Sequence, residues 1–254
     1  MIEHFATING IEVAASYAEE TVNEIFLPLL RKLSSLQKRK AARLLVLLAA
    51  PPGAGKSTLL SFLRRLSLGE AGLVPVQAIG MDGFHRRQED LQTRFVERDG
   101  RRLPMVEIKG APVTFDLEKL TAAVKRVSEG KSCGWPAYDR LLHNPIENAL
   151  TVDGELVLLE GNYLLLDEDG WRDLHSYADY TISIRAEEDL LRRRLIDRKM
   201  KTGADQTAAA KFVDFSDMPN VRLCLTKTMP ADLALQLDAC GDYHISSGTP
   251  AGRH

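Results

Sequence analysis

A chain of 254 residues, 44% hydrophobic and 27% charged, has the composition of an ordinary soluble globule and room for one α/β domain with additions or two small domains. Its formal net charge of −2 gives no general pull toward nucleic acid or anionic membrane, so any basic site must be local. Cys133, Cys224 and Cys240 are widely spaced with no CxxC or Cys/His pattern, which argues against a zinc motif or a disulfide framework and fits a reducing, cytoplasmic setting.

The first ten residues, MIEHFATING, lack a basic segment followed by an apolar one, and no transport signal is expected. Phe5 to Val13, with Asn9-Gly10 at its centre, predicts a short hairpin, because Asn-Gly supplies the positive φ angles of a type I′ turn. Val22, Ile25, Phe26, Leu29 and Leu33 recur at helical spacing and predict a helix over Glu19 to Leu36, followed by Gln37 and the cations Lys38-Arg39-Lys40. The basic cluster is short and at one end only, which favours a helix covering the core over a membrane-surface or partner helix.

Leu44 to Leu63 reads LLVLLAAPPGAGKSTLLSFL: a buried-type strand, a Pro/Gly turn, then an apolar pattern of helical spacing. Its longest apolar run, Leu44 to Pro52, is too short to span a bilayer. This is the setting of a phosphate-binding loop. Gly53 and Gly55 let backbone N–H groups approach phosphate oxygens, and the helix beginning near Lys56 aims its positive dipole end at the same anion. Gly53, Ala54, Gly55, Lys56, Ser57 and Thr58 are therefore the candidate nucleotide-binding residues, with Lys56 on the β- and γ-phosphates and Ser57 on Mg²⁺. The first position of G-x-x-x-x-G-K-[ST] is Ala50, at the strand end.

Val76 to Met81 predicts a second strand running into Asp82-Gly83-Phe84-His85-Arg86. In an open parallel sheet ligands bind beyond the carboxyl ends of the strands. Asp82 is accordingly either a base that takes the proton of an attacking hydroxyl or the Asx of a simple Asp-Gly turn. Glu89 to Arg102 is charge-rich without periodicity and reads as a mobile surface segment. Lys109 to Pro112 is a turn, followed from about Thr114 by a helix whose Leu117, Leu120, Val124 and Val127 share a face and which Gly130 ends. Trp135 to His143 gathers Tyr138, Asp139, Arg140 and His143 in a non-periodic stretch, suited to a polar small molecule or to a structural loop with a buried Tyr.

Leu156 to Glu160 predicts a buried strand that ends in an acid placed to hold the Mg²⁺ shell across from Ser57. Tyr180 to Ile184 is another strand. The helix after it, about Ala186 to Met200, carries Arg192, Arg193, Arg194, Arg198 and Lys199, either as an arginine-bearing lid or as an exposed basic face. A helical pattern through Leu225 leads to an edge strand at Asp242 to Ile245 and a loose tail.

With these residues in place the chain resembles the P-loop small-molecule kinases that include uridine kinase, phosphoribulokinase and bacterial pantothenate kinase. Lys109-Gly110-x-Pro112-x-x-Phe115-Asp116 is similar to pantothenate kinase, and Pro136-x-Tyr138-Asp139-x-x-x-His143 to uridine kinase. APPGAGKST, MDGFH, KGAPVTFD, PAYDR and EGNYLLL together look like a bacterial nucleoside/sugar kinase-like branch of that superfamily. The resemblance implies ATP on Lys56, Ser57 and Thr58, Asp82 as base, Glu160 at Mg²⁺, Arg194 and Arg198 in the lid, and His85, Tyr138, Arg140 and His143 toward the acceptor. Around His143 the nucleoside-clamping context of uridine kinase is absent, so the substrate does not carry over.

The expectation is an α/β fold: a P-loop three-layer sandwich with a mainly parallel, roughly five-stranded sheet. Residues 1–42 would be an N-terminal extension packed on the core, 43–246 the kinase domain and 247–254 a loose tail. The function expected is ATP- and Mg²⁺-dependent phosphorylation of a hydroxyl on a small polar metabolite, without nucleic-acid or membrane partners and with room for a homodimer. The alternative is a regulatory switch protein that uses ATP without an acceptor.

Overall fold

The computed structural model describes residues 1–8, 11–98, 100–139 and 142–246. Strands β1 (Ile2–Ile8) and β2 (Ile11–Tyr17) pair antiparallel in the expected hairpin; its Asn9-Gly10 turn lies outside the described residues. The chain then turns helical through Glu19–Thr21 and a π turn, Val22–Phe26, into α1 (Leu27–Lys40). Phe26, Leu29, Leu30 and Leu33 are buried at helical spacing, and Ala41 closes the helix in the left-handed region at φ 52°. Tyr17 stacks on Phe62 at 4.3 Å and Phe26 meets the same ring edge-on at 6.0 Å, which seats hairpin and helix on the helix that follows the phosphate loop.

That helix is α2 (Lys56–Gly69), between β3 (Leu44–Ala49) and β4 (Val76–Gly80). Beyond β4 three expectations need correction. Glu89 to Arg102 is not an irregular surface segment: it contains α3 (Gln88–Thr93) and a second hairpin, β5 (Phe95–Arg98) with β6 (Arg101–Pro104). The expected helix from Thr114 begins later, as α4 (Leu117–Ser128). Pro112–Thr114 forms a 3₁₀ turn, and the Asp116 carboxylate caps the helix by accepting from Lys119 N at 3.1 Å. Trp135 to His143 is likewise no loop. Its first half belongs to β7 (Cys133–Asp139), which pairs antiparallel with β8 (Asn144–Val152) around a bulge between Trp135 and Ala137. Arg140 and Leu141 lie outside the described residues.

The remaining elements are β9 (Leu156–Gly161), β10 (Tyr180–Ala186), α5 (Glu188–Lys201), α6 (Gln206–Phe212), a π turn (Val213–Asp217), α7 (Met218–Lys227), β11 (Leu233–Leu237) and β12 (Tyr243–Ile245). The central sheet runs β12-β11-β10-β3-β9-β4, parallel except for the edge strand β12. It has six strands, one more than the sequence reading counted; the extra one is β11.

β3 sits inside the sheet and is buried on both faces, as its unbroken apolar run requires. Leu44, Val46 and Leu48 face a layer with α1, α2 and the arginine-bearing helix α5, whereas Leu45, Leu47 and Ala49 face a layer with α4 and Trp135. The period-2 alternation of one strand thus glues two helical layers to one sheet.

Candidate active site

The carboxyl ends of β3, β9 and β4 lie side by side, and the candidate site is built on them. Glu160 of β9 stands in register between Leu48 of β3 and Gly80 of β4, so it falls between the phosphate loop and the start of the Asp82 turn. Gly53 and Gly55 adopt φ 85° and 80°, the left-handed conformation that curls the loop and that only glycine enters freely. Ala54 N donates to Pro51 O within the loop, and Ala50 N to Gly161 O tethers its entry to β9. Ala50, where the motif has glycine, is buried as the first residue past β3 and makes that tether with its backbone alone.

Lys56, Ser57 and Thr58 form the first turn of α2. Ser57 Oγ donates to Glu160 Oε1 at 2.7 Å, and Glu160 is only 7% exposed. Two hard oxygen donors from the two elements expected to hold Mg²⁺ are therefore already in contact, which is the donor chemistry that ion takes. Helix α5 lies directly on the loop. A Cβ on Gly53 would stand 3.1 Å from Leu191 O, and one on Gly55 would stand 4.0 Å from Arg194 Nη1. Arg194 is thus held over the phosphate loop, Arg198 is exposed one turn further on, and Arg192 is spent on a two-point pair with Asp214 at 2.7 and 2.8 Å.

Asp82 lies in a 3₁₀ turn, Met81–Phe84, immediately after β4. The β7–β8 hairpin is clamped against this turn: Trp135 Nε1 donates to Gly80 O at 2.8 Å, its ring meets Phe84 edge-on at 4.9 Å, and Gly83 touches the Pro136 backbone where no side chain would fit. Just beyond, His85 stacks on Phe115 at 3.9 Å and meets Tyr138 edge-on at 5.3 Å. Asp82, His85 and Tyr138 are thereby brought together. The His143 side chain is exposed, and it is its carbonyl that is bound, by Lys109 Nζ at 2.8 Å.

Lys109, which sequence reasoning placed only in a turn, also donates to Gln88 Oε1 at 2.8 Å and lies 5.0 Å above the Tyr138 ring. Burial lowers its pKa to about 8, Glu89 opposing. The Lys-Gly-x-Pro spacing was the one signal that could have singled it out. Nearby, Tyr163 OH donates to Gly110 O at 2.6 Å; burial pushes this phenol well above its ordinary value, and the charges of Asp217 and Asp82 add to that. Cys224 of α7 is buried, its thiol pushed up to about 12 by desolvation with Lys56 pulling the other way, so it is an inert packing group against the end of β9, where it donates to Asn162 O at 3.3 Å.

The model of the phosphoribulokinase / uridine kinase family matches residues 45–242. The protein YggC of Escherichia coli K12, itself uncharacterized, is 40% identical over 95% of this chain and 98% of its own length. A Schizosaccharomyces pombe protein provisionally named a uridine kinase is 30% identical over 76% of this chain and 83% of its own length. Among solved structures, one from Silicibacter sp. TM1040, provisionally named a fructose transport system kinase, superposes with a TM-score of 0.69 at 31% identity, over 80% of this chain and 98% of that one. No helix among the described residues is long and apolar enough to cross a membrane.

Proposed function

The chain belongs to the phosphoribulokinase / uridine kinase family, and from that membership and the site geometry we propose that it transfers the γ-phosphoryl group of ATP to a hydroxyl of a small polar metabolite: a sugar, a nucleoside or a pantothenate-like compound. The observation that carries the reading is the Ser57–Glu160 contact at 2.7 Å, lying between a glycine-curled phosphate loop and the Asp82 turn. A switch protein needs the first two features but has no use for an acid beside an aromatic pocket.

In this scheme the Gly53–Thr58 backbone and Lys56 grip the β- and γ-phosphates, and Ser57 and Glu160 would hold Mg²⁺. The metal, when bound, offsets charge on the phosphate oxygens. Asp82 orients the acceptor hydroxyl and takes its proton as the hydroxyl oxygen bonds to the γ-phosphorus. The bond from that phosphorus to the bridging oxygen breaks, and ADP leaves with the electron pair. Arg194, above the loop, balances the charge that develops, and Arg198 joins it as the lid closes. His85 and Tyr138 form the near wall for the acceptor.

The test is coupled ADP release with Mg·ATP over sugars, polyols, nucleosides and pantothenate, fructose and uridine first because of the relatives' names. Mononucleotides and a generic protein serve as controls. Stimulation by a small hydroxyl compound supports the reading. Stimulation by the controls alone sinks it, and release indifferent to every acceptor points to the switch.

A further inference from the structure

Arg194 of α5 is half-buried and makes no hydrogen bond or ion pair among the described residues. A long side chain without a partner samples many rotamers unless packing confines it. Here the confinement comes from backbone on two sides. A Cβ on Gly55 would stand 4.0 Å from Nη1, and one on Gly241, at φ 95°, would stand 3.5 Å from Nη2. The guanidinium is bracketed between the phosphate loop and the β11–β12 turn, which comes this close because Gly241 carries no side chain.

The turn is internally stapled. Asp238 N donates to Asp242 O at 2.9 Å and Gly241 N to Asp238 O at 3.2 Å. The Asp238 carboxylate accepts from Cys240 N at 2.9 Å and Asp242 N at 3.0 Å through one oxygen, and its other oxygen meets His244 Nε2 at 2.8 Å.

It is also tied to a part of the chain that the transfer scheme leaves unused. Asp242 Oδ1 accepts at 3.2 Å from the backbone N–H of Ala18, 224 positions away, where β2 passes into the first helical turn. The next residue, Tyr243, meets Phe26 edge-on at 5.5 Å and lies 6.4 Å from Tyr17, which stacks on Phe62 of α2. Burial pushes both phenols above their ordinary value, and the charge of Arg194 pulls each the other way, so the guanidinium is within electrostatic reach of this ring cluster. The N-terminal extension thus touches the nucleotide site twice: through Phe62 on the helix that follows the loop, and through the β11–β12 turn on the arginine above it. Fastening the extension to the sheet edge accounts for the Ala18–Asp242 bond. It does not account for a side-chain-free residue of the same turn set against an unpaired arginine over the phosphate loop.

We propose that Gly241 and Asp242 are positioning residues: the β11–β12 turn, braced by Ala18 of the N-terminal extension, holds the Arg194 guanidinium over the phosphate loop. The extension is then part of the support of the nucleotide site. This rests on the role given above to Arg194, which balances charge on the phosphoryl group that ATP carries and ADP lacks.

The experiment titrates the Mg²⁺ complexes of ADP and of the β,γ-imido analogue of ATP into the full chain and records melting temperatures. The proteins are the wild type, Arg194→Ala, Asp242→Ala, Asp242→Asn, Ala18→Pro and the double variant Arg194→Ala with Asp242→Ala. Ala18→Pro deletes the donor at a residue whose φ of −61° already suits proline, and Asp242→Asn keeps an accepting oxygen. Arg194→Ala should weaken the analogue about 10- to 100-fold, the loss of a charged hydrogen-bonding group, with ADP within about twofold. Asp242→Ala and Ala18→Pro should each weaken the analogue about 3- to 10-fold, again with ADP within about twofold. Asp242→Asn should bind the analogue at least as tightly as the wild type, and the double variant should lose no more than Arg194→Ala alone. The sign is diagnostic, because removing a carboxylate from this turn would by charge alone tighten a triphosphate. Equal weakening of ADP and analogue, a lower melting temperature at unchanged affinities, or fully additive loss in the double variant overturns the inference and leaves the kinase reading standing. An Arg194→Ala variant that binds the analogue like the wild type overturns the role of Arg194 in that reading and the inference with it.

Discussion

Replacing Gly83 by alanine tests whether the β7–β8 hairpin positions the acceptor. A Cβ there would overlap the Pro136 carbonyl and stand 2.9 Å from Ala137 N, where ordinary contact begins at 3.4 Å. Both obstacles are backbone, so no side chain can swing away. β7 must retreat by on the order of 1 Å, and it is tied by the fully buried Trp135 and its bond to Gly80 O, so the retreat also loosens packing on Phe84. Overpacking of this kind costs about 1–3 kcal/mol; at about 2–4 °C per kcal/mol for a chain of this size, melting falls by about 2–12 °C. A displacement of about 1 Å at a reacting centre costs about 10²-fold in rate, and acceptor-dependent kcat/KM should fall by that factor. ATP affinity should stay within about twofold, because the phosphate loop follows β3, separated from β4 by β9. Thermal unfolding, ATP titration and initial rates measure the three quantities. A stable variant with wild-type acceptor kinetics would refute the idea that this contact sets the acceptor wall, and equal losses for ATP and acceptor would mean that the whole sheet had moved.

Lys56→Ala should abolish turnover and weaken ATP binding while the melting temperature stays within about 1 °C, since a partly exposed lysine contributes little to stability; unchanged turnover would remove the phosphate-loop assignment. Asp82→Asn should lower the acceptor-dependent rate by about 10²–10⁴ with ATP affinity kept within a few-fold, whereas parallel loss of both would make Asp82 a metal-site or structural residue. Lys109 should impose a pH dependence. Its pKa is lowered from 10.5 to about 8, so in the folded chain the ammonium is present below about pH 8 and lost above it. The unfolded chain keeps that proton up to about 10.5, so the cost of holding the cation is relieved, and stability rises, between those pH values. Acceptor KM should climb through pH 8 in the wild type and stay flat in Lys109→Arg, and a climb that persists in the variant would assign the limb to another group.

The nucleotide half of the site was legible because it is local. Strand, loop and first helical turn from Leu44 to Thr58 are contiguous, and each residue type is dictated by its neighbours: apolar to be buried on both faces, glycine to reach positive φ, Lys-Ser to meet phosphate and metal. Glu160 and Asp82 could be placed because each sits at or just past the end of an apolar run, and parallel register carries those ends to one edge of the sheet. β7 resisted reading because Gly134 and Pro136 interrupt it. Proline demotes a strand in isolation, and here the strand persists because a bulge accommodates Pro136 and Trp135 anchors it through Gly80. The β5–β6 hairpin hides behind its charges for a related reason. Its exposed faces carry Arg98 over Phe215 and Arg102 over Phe95, cation–aromatic contacts that no period announces. β11 is only five residues long, and its place is set by Asp232, which accepts from Thr181 N and Oγ1 on the neighbouring strand, 51 positions away.

The acceptor half is assembled differently, and this explains why the chemistry was easier to read than the substrate. In the proposed acceptor site the walls would come from three separated stretches: the Asp82–His85 turn, Lys109 to Phe115 and the β7–β8 hairpin. None is a motif by itself. Asp82-Gly83 reads as a turn and Lys109-Gly110 as another, until packing brings Gly83 under Pro136 and Lys109 over the Tyr138 ring. A phosphate loop must bind the same triphosphate wherever it occurs, so local sequence constrains it tightly. A specificity pocket needs only the right donors and acceptors at the right places, and any segment that the fold delivers can supply them. Substitution of Tyr138, which meets His85 and lies under the Lys109 ammonium, is therefore expected to change which hydroxyl compound is accepted while leaving the phosphate loop, and the transfer itself, intact.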